Sequence, residues 1–353
     1  MRWQSTWPSK DIFHEYALDY AKKVNDMTGG DLKIEVLPAG AVVPAFGLLD
    51  AVSKGTLDGG HGVLVYHYGK QNALALWGSG PGYAMDANML LAWHKYGGGK
   101  ELLDKLYASI GANVVSFPYG PMPTQPLGWF KKPITKAEDF KGLKFRTVGI
   151  SIDVFTGMGA AVNALPGGEI VSAMDRGLLD AAEFNNASSD RILGFADVSK
   201  VCMLQSYHQN AEQFEIMFNK TKYDALPDKM KAIIANAVEA ASAGHVVEGD
   251  RPLFARTTSS CRPRTRSSST RRRTRSCRSS SRSTTRSSKK KSADNPLFKE
   301  IVEIAAGVRQ AGDAVGAGHG GEPHAWRYNH YFGPERQEED LTAIIARAMH
   351  HPG

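Results

Sequence analysis

Between Ile12 and Val24 apolar residues recur at helical spacing (Ile12, Tyr16, Ala17, Tyr20, Ala21, Val24), behind Ser9 as a candidate N-cap. The period then changes. From Leu32 to Leu37 apolar positions alternate with Lys33 and Glu35 and stop at Pro38, which predicts a half-buried strand. A second helix is predicted over 45–53, closed by Gly55, with Leu57-Asp58 leading toward the next strand. Helix and strand patterns alternate from the outset, as in open sheets covered by helices.

The same grammar continues downstream. Strands are predicted at Trp129-Phe130-Lys131-Lys132-Pro133 and over 139–146, around a polar turn. A short helix follows over 153–159, and Leu165-Pro166-Gly167-Gly168-Glu169 opens another. Glu215-Ile216-Met217-Phe218-Asn219 is a further strand. Leu226-Pro227-Asp228 starts an amphipathic helix through Met230, Ile233, Ile234, Ala237, Val238 and Ala241. Within this pattern the chain echoes itself. Ala51-Val52-Ser53-Lys54-Gly55-Thr56-Leu57-Asp58 matches Ala173-Met174-Asp175-Arg176-Gly177-Leu178-Leu179-Asp180 at an offset of 122 positions. In both, a helix stops at a glycine suited to the left-handed C-cap and a strand begins. Helix–glycine–strand junctions are common in α/β proteins; otherwise the pair indicates two similarly built lobes.

The 353 residues are 42% hydrophobic, enough for two domains with real cores. No run approaches the ~20 apolar residues of a membrane span. No charged-then-apolar leader precedes the first element, so no signal peptide is visible: either it has been removed or the start is truncated. The net charge of +7 is misleading. Residues 256–291 hold eleven Arg, three Lys and no acid, a local +14; the remainder is therefore −7. A nucleic-acid role cannot be read from the whole-chain balance. Cys261 and Cys277 lie in the same block, leaving Cys202 alone in the body, with neither a disulfide framework nor metal spacing.

From Thr257 to Ser288 the chain is almost only Ser, Thr and Arg. One reading is a basic tail for nucleic acid or anionic lipid. The other, preferred here, is translation out of frame. Residues 243–251 can be encoded gct gga cat gtc gtg gaa ggc gat cga. One base later the letters give Leu-Asp-Met-Ser-Trp-Lys-Ala-Ile, a continuation of the preceding helix. The glycine-rich run over 305–318 can be shifted in the same way into a helical string. Such a chain could be a frame-disrupted, non-functional homologue; the genomic reading frame would decide. Ordinary grammar returns over 293–301 and 328–333.

No nucleophile elbow, HExxH or dinucleotide fingerprint is present, and Gly97-Gly98-Gly99-Lys100 has the wrong spacing for a P-loop, so no enzyme is indicated. His61, His67 and His208 lack metal-ligand spacing. Arg146 follows an apolar-alternating run (Leu143, Phe145), which places it at a strand end facing an inter-lobe cleft. Its planar fork suits a carboxylate, although a surface ion pair is the plainer alternative. Gln125, Glu183 and Glu212 carry oxygens of the kind a hard cation such as Na⁺ or Ca²⁺ takes; their spacing does not group them, and only a family resemblance does. Glu183 alone could equally be an ordinary strand-end acid. Trp7, Tyr66 and Tyr68 are candidate pocket walls; Tyr66 and Tyr68, two apart in a predicted strand, would face one side, in a pocket or in the core.

Several stretches together resemble the solute-binding subunits of tripartite ATP-independent periplasmic (TRAP) transporters, in the branch for 2-oxo and 2-hydroxy monocarboxylates. They are Thr6-Trp7-Pro8, Leu49-Asp50-Ala51-Val52 with Gly55 and Asp58, and Thr124-Gln125-Pro126-Leu127-Gly128-Trp129-Phe130. Gly142-Leu143-Lys144-Phe145-Arg146, Leu165-Pro166 with Glu169, Leu179-Asp180-Ala181-Ala182-Glu183-Phe184, and Glu212 follow in the family's order. The resemblance spans about residues 3–243 and implies a two-lobed α/β periplasmic-binding-protein-like fold with a mixed sheet in each lobe. It also implies a long lobe-bridging helix and closure on the ligand. On it, residues 1–120 form lobe I, 121–205 lobe II, and 206–243 the return and the start of the bridging helix. Residues 244–291 are then the anomalous segment, and 292–353 carry C-terminal helices, anomalous at 305–327.

The resemblance also implies periplasmic residence, a small organic acid anion as ligand, a membrane permease as partner and room for a homodimer. It gives Arg146 the carboxylate-clamping role, and Gln125, Glu183, the Phe184 carbonyl and Glu212 the ligation of a cation that bridges to the acid. Phe184 departs from the family's frequent Trp, and Asn185-Asn186 depart as well, which puts pocket shape and the particular acid in doubt; Asn185 is expected to read additional polar groups of the ligand.

Overall fold

A computed structural model describes residues 1–78, 85, 87–122, 124–204, 208–255 and 290–302, with only the backbone given at 121 and 244–255. The Ser/Thr/Arg block over 256–289 and the glycine-rich block over 305–327 lie outside the described residues.

The chain runs β1 (Arg2–Ser5), α1 (Ile12–Met27), β2 (Glu35–Leu37), α2 (Leu48–Ser53), β3 (Gly59–Val63), α3 (Ala87–Tyr96), α4 (Gly99–Ser109) and β4 (Val114–Met122). It continues through β5 (Gly128–Phe130), β6 (Lys144–Arg146), α5 (Ile150–Gly157), β7 (Ala161–Asn163), α6 (Gly167–Asp175), β8 (Ala181–Ala182), α7 (Ala187–Ile192), α8 (Phe195–Val198) and β9 (Val201–Met203). It returns as β10 (Glu212–Asn219), α9 (Lys220–Asp224) and α10 (Asp228–Ala255). Two five-stranded mixed sheets result, in the orders β2-β1-β3-β10-β4 and β7-β6-β8-β5-β9. In each, three neighbouring strands are parallel, the fourth (β10 or β5) runs antiparallel to them, and the fifth (β4 or β9) pairs antiparallel to the fourth. The chain crosses to the second sheet between β4 and β5 and comes back between β9 and β10.

The echo in the sequence is an echo in the backbone. Gly55 and Gly177 adopt φ of 76° and 73°, the left-handed region that glycine enters without a Cβ penalty. The Leu57 N–H donates to the Ala51 carbonyl at 3.1 Å, and the Leu179 N–H to the Ala173 carbonyl at 3.2 Å. Asp58 and Asp180 then meet the first residues of β1 and β6. Their N–H groups donate to the Arg2 and Lys144 carbonyls at 2.9 and 2.8 Å. Their carboxylates accept from the Arg2 and Lys144 N–H at 2.5 and 3.1 Å. One acid thus sets the parallel register in each sheet.

Buried aromatics fill both lobes. Trp3 of β1 packs on Tyr20 and Phe218; Phe145 of β6 packs on Phe130, Phe140 and Phe155. The predicted apolar stripe of α10 is real: Ile234, Ala237, Val238 and Ala241 are buried, and the helix lies along β4 and α1. Residues 296–302 form a helix that buries Phe298, Ile301 and Val302. Asn295 anchors it by donating to Asn72 Oδ1 at 2.9 Å.

Local departures from the sequence reading have local causes. Asp11, not Ser9, caps α1, accepting from the Phe13 N–H at 3.0 Å. The strand expected over 32–37 pairs only from Glu35. The segments 129–133 and 139–146 share a sheet but are not neighbours, because β8 lies between β5 and β6. Residues Ala137–Phe140 form a 3₁₀ turn in place of strand, pinned where the Asp139 carboxylate accepts from the Thr135 and Lys136 N–H at 2.8 and 3.1 Å. Helix α5 starts at Ile150, three residues earlier than expected.

Candidate functional site

Parallel strands bring their carboxyl ends to one edge, where ligands gather in open α/β sheets. Arg146 ends β6 beside Ala182 of β8, and Glu183 follows directly. The two crossings between sheets supply the rest: Gln125 lies on the outward crossing and Glu212 opens β10 on the return. The Gln125 N–H donates to the Gln209 carbonyl at 3.3 Å, so the crossings hold each other. Strand periodicity places Glu212 and Phe214 on one face.

These residues line one cavity of about 20 Å³, room for roughly one water molecule, so the lobes are drawn in closely around it. Trp7, Phe13, Tyr66, Phe184 and Phe214 wall it; Arg146, Gln125, Glu183 and Glu212 supply its polarity. Trp7 is fixed by donating its Nε1–H to His61 Nδ1 at 2.9 Å. The Phe184 ring lies parallel to Phe195, and the Arg146 guanidinium sits 5.4 Å from its centre.

Arg146 is fully buried. Its Nε–H donates to the Leu165 carbonyl at 2.9 Å; Nη1 donates to the Glu183 carbonyl and Oε1 at 2.9 and 3.0 Å. Nη2 has no hydrogen-bond partner. Gln125 Nε2 donates to Glu183 Oε2 in a very short contact, while Gln125 Oε1 is unsatisfied. Both carboxylate oxygens of Glu212 are buried, and neither makes a well-formed hydrogen bond, although the Val65 N–H lies close enough to lower its pKa somewhat. Buried polar groups are nearly always satisfied, so four open positions around one cavity mark a place for a polar ligand.

The electrostatics agree. Burial raises the Glu183 carboxyl above its ordinary value, more than the Arg146 charge and the Thr147 and Gln125 hydrogen bonds lower it. Burial, with repulsion from Glu183, pushes Glu212 well up. Burial lifts the Tyr66 phenol to about 12, partly offset by Arg146. Two crowded carboxylates beside one guanidinium would repel an anion; a cation among them would remove that repulsion. Among the described residues no group of three or more His, Cys, Asp or Glu is set to hold a metal. Two carboxylates and an amide oxygen do line the cavity, and these are donor types that Na⁺ or Ca²⁺ could take together with a backbone carbonyl.

Of the residues singled out from sequence, Arg146, Gln125, Glu183, Phe184, Glu212, Trp7 and Tyr66 meet at this cavity. Two do not. Asn185 is buried but directed elsewhere, donating to Asp11 Oδ1 at 3.0 Å and Ser189 Oγ at 3.2 Å. Tyr68 lies outside the cavity lining, because Leu64–His67 is a 3₁₀ turn and the two-residue strand period fails there. Its hydroxyl instead donates to Asp153 Oδ2 at 2.5 Å, beside an open groove with Lys291 and Asn295. The sequence reading missed Phe13, Val63, Val65, Met122, Val148, Gln209 and Phe214. Only Phe214 carried a signal, its two-residue spacing from Glu212.

Two glycines make the geometry possible. A Cβ on Gly78 would stand 2.7 Å from Glu212 Cδ, and one on Gly167 only 2.1 Å from Phe184 Cζ.

Residues 4–248 match the model of the bacterial extracellular solute-binding protein family 7, DctP. A monocarboxylate 2-oxoacid-binding periplasmic protein of Nostoc sp. is 36% identical over 239 residues, 67% of this chain and 65% of that protein. The chain thus spans a little under two thirds of that relative's length. A TRAP transporter solute-binding protein of Bordetella bronchiseptica, solved with copurified calcium and picolinate in its active site, superposes with a TM-score of 0.81 at 26% identity, over 98% of each chain. One from Pseudoalteromonas atlantica, with bound sodium and pyruvate, superposes with a TM-score of 0.80 at 27% identity, over 89% of this chain and 94% of that one. With the family's model matched over more than half its length, this chain belongs to family 7 of the bacterial extracellular solute-binding proteins.

Proposed function

We propose that the chain is a binding protein, not an enzyme, which captures a small 2-oxo or 2-hydroxy monocarboxylate by closing two lobes, and does so together with Na⁺ or Ca²⁺. The observation that carries this is the set of open buried positions, Arg146 Nη2, Gln125 Oε1 and both Glu212 oxygens, facing one aromatic-walled cavity. Arg146 would clamp the acid's carboxylate through Nη2. Gln125, Glu183, Glu212 and the Phe184 carbonyl would hold the ion, which supplies the positive charge that lets an anion sit beside two acids. Trp7, Tyr66 and Phe184 would pack the acid's apolar body. The 2-oxoacid-binding Nostoc relative and the calcium- and sodium-bearing structures support this reading. Family membership further supports residence outside the cytoplasmic membrane and delivery of the acid to a TRAP-type permease.

A thermal-shift series tests it, because a ligand that binds the folded state raises the melting temperature. Pyruvate, lactate, and branched and aromatic 2-oxo acids are each offered with and without Na⁺ or Ca²⁺. An acid and a cation together are expected to raise Tm by several degrees, more than either alone. No shift with any acid, or no cation dependence, would overturn the proposal.

A further inference from the structure

A second polar contact joins the lobes beyond the cavity wall, centred on Asp11. This residue belongs to the first lobe, where it caps α1. Its Oδ1 takes three donors: the Phe13 N–H at 3.0 Å from its own helix, and Asn185 Nδ2 at 3.0 Å and Ser189 Oγ at 3.2 Å from the second lobe. All three side chains involved in the inter-lobe contact are buried. Asp11 Oδ2 is buried as well and has no hydrogen-bond partner. Asn185 is the next residue after Phe184 and two after Glu183. Its own Oδ1 accepts from Asn186 Nδ2 at 3.2 Å, and Asn186 caps α7 by accepting from the Ser188 and Ser189 N–H at 3.1 and 3.0 Å. A pull on Asn185 is therefore transmitted to the two residues that close the cavity, while α7 keeps the rest of the segment fixed.

We propose that Asp11 is a positioning residue for ligand capture: a first-lobe carboxyl that, on closure, engages Asn185 and Ser189 and so sets Glu183 and Phe184 against the bound acid. The inference rests on the binding function proposed above. It gives Asn185 a role other than reading the ligand, and it makes capture sensitive to pH. In the closed form burial raises the Asp11 carboxyl to about 7, outweighing the stabilising hydrogen bonds from Phe13, Ser189 and Asn185. The groups that face it add no offsetting positive charge: Glu15 and His14 lie on α1, Asp190 on α7, and Tyr66 on the turn after β3. Burial lowers the His14 pKa, so that ring too gains no charge from being enclosed. With the lobes apart, water reaches the carboxyl and its pKa returns to about 3.9. The closed form then holds a proton that the open form does not. Affinity is flat above about pH 7 and rises by up to about tenfold per unit as pH falls below it.

The test compares wild type, Asp11→Asn and Asp11→Ala by calorimetry with pyruvate, in Na⁺ and in Ca²⁺, from pH 7.5 to 5.5. Titration of Glu183 and Glu212 is common to all three proteins and cancels in the ratio of affinities. Asn keeps an N-cap oxygen and mimics the protonated acid, so the fold is retained. Relative to Asp11→Asn, wild-type affinity is expected to improve at least about tenfold between pH 7.5 and 5.5. Asp11→Ala is expected to bind more weakly than wild type at pH 5.5, with its melting temperature reported separately. A ratio that does not change with pH, or Asp11→Ala binding as tightly as wild type, would overturn the proposal. Small-angle scattering without any acid gives a second readout, independent of the ligand. The wild-type radius of gyration should fall as pH falls and that of Asp11→Asn should not; equal behaviour of the two would again overturn it. If wild type binds no acid yet contracts in this way, the function proposed above fails and the latch stands.

Discussion

The two sheets are built to one plan and carry different cargo. Counting 122 positions from the first unit to the second sets Val43-Pro44 on Leu165-Pro166, Ala45 on Gly167 and Gly55 on Gly177. The strand registers set Gln4 on Arg146. Both side chains are fully buried, and both reach the residue before the proline. Gln4 Nε2 donates to the Val43 carbonyl at 2.8 Å, and Arg146 Nε to the Leu165 carbonyl at 2.9 Å. There the likeness ends. Gln4 uses its remaining oxygen on the Val42 and Val43 N–H at 2.8 and 3.1 Å, so it is spent on the scaffold. Arg146 has two further nitrogens, one for Glu183 and one that stays open to the cavity. A position spent on the scaffold in one lobe carries in the other a longer, charged side chain with a donor left over. The first lobe contributes Trp7, Phe13, Tyr66 and Phe214, mostly apolar wall, with one acid, Glu212, at the start of β10; the second contributes the guanidinium and Glu183.

The comparison breaks most sharply at this pair. Arg146→Lys keeps the charge but loses the fork and the bond to Leu165. We expect pyruvate affinity to drop by roughly 2–5 kcal/mol, at least about thirtyfold, by calorimetry. Gln4→Ala leaves partly buried backbone groups of Val42 and Val43 unpaired, so it should cost about 1 kcal/mol of stability in urea melts with little change in affinity. Equal affinity losses in the two variants would show that the positions are not divided in this way.

A smaller effect is expected where Ala45 and Gly167 correspond. Ala45 is accommodated and buried. Gly167→Ala would drive a methyl into the Phe184 ring, so we expect about 1–3 kcal/mol of destabilisation by overpacking and weaker ligand binding. An unchanged melting curve and affinity would mean that the ring moves aside freely. The smallest effect sharpens the likeness itself. Nothing lies within 4 Å of a Cβ built on Gly177, and only Asn219 Nδ2, at 3.7 Å, near one on Gly55, so backbone strain alone is tested. Gly55→Ala and Gly177→Ala should each cost about 1 kcal/mol, equally within a few tenths. Clearly unequal values in denaturant titrations would argue against equivalent turns.

The residues that meet at the cavity were legible chiefly through the order of the family's motifs. Arg146 alone also carried a local signal, an arginine at the end of an apolar-alternating run. Tyr68 was misread because a two-residue period was extended through a 3₁₀ turn, where it does not hold. Asn185 was misread because an asparagine beside a site serves a ligand and a distant helix cap equally well. Its partner, Asp11, is 174 positions away, and no local pattern joins them.

The amino-acid sequence alone determined the alternating elements, the repeat of a helix–glycine–strand–aspartate unit, the family and the inventory of donors, since these depend on local periodicity and on residue type. Tertiary structure alone decided which donors remain unsatisfied, which aromatics enclose them and which acid latches the lobes. Those properties belong to pairs of residues far apart in the chain, and solvent exclusion acts only once the two sheets have closed on each other.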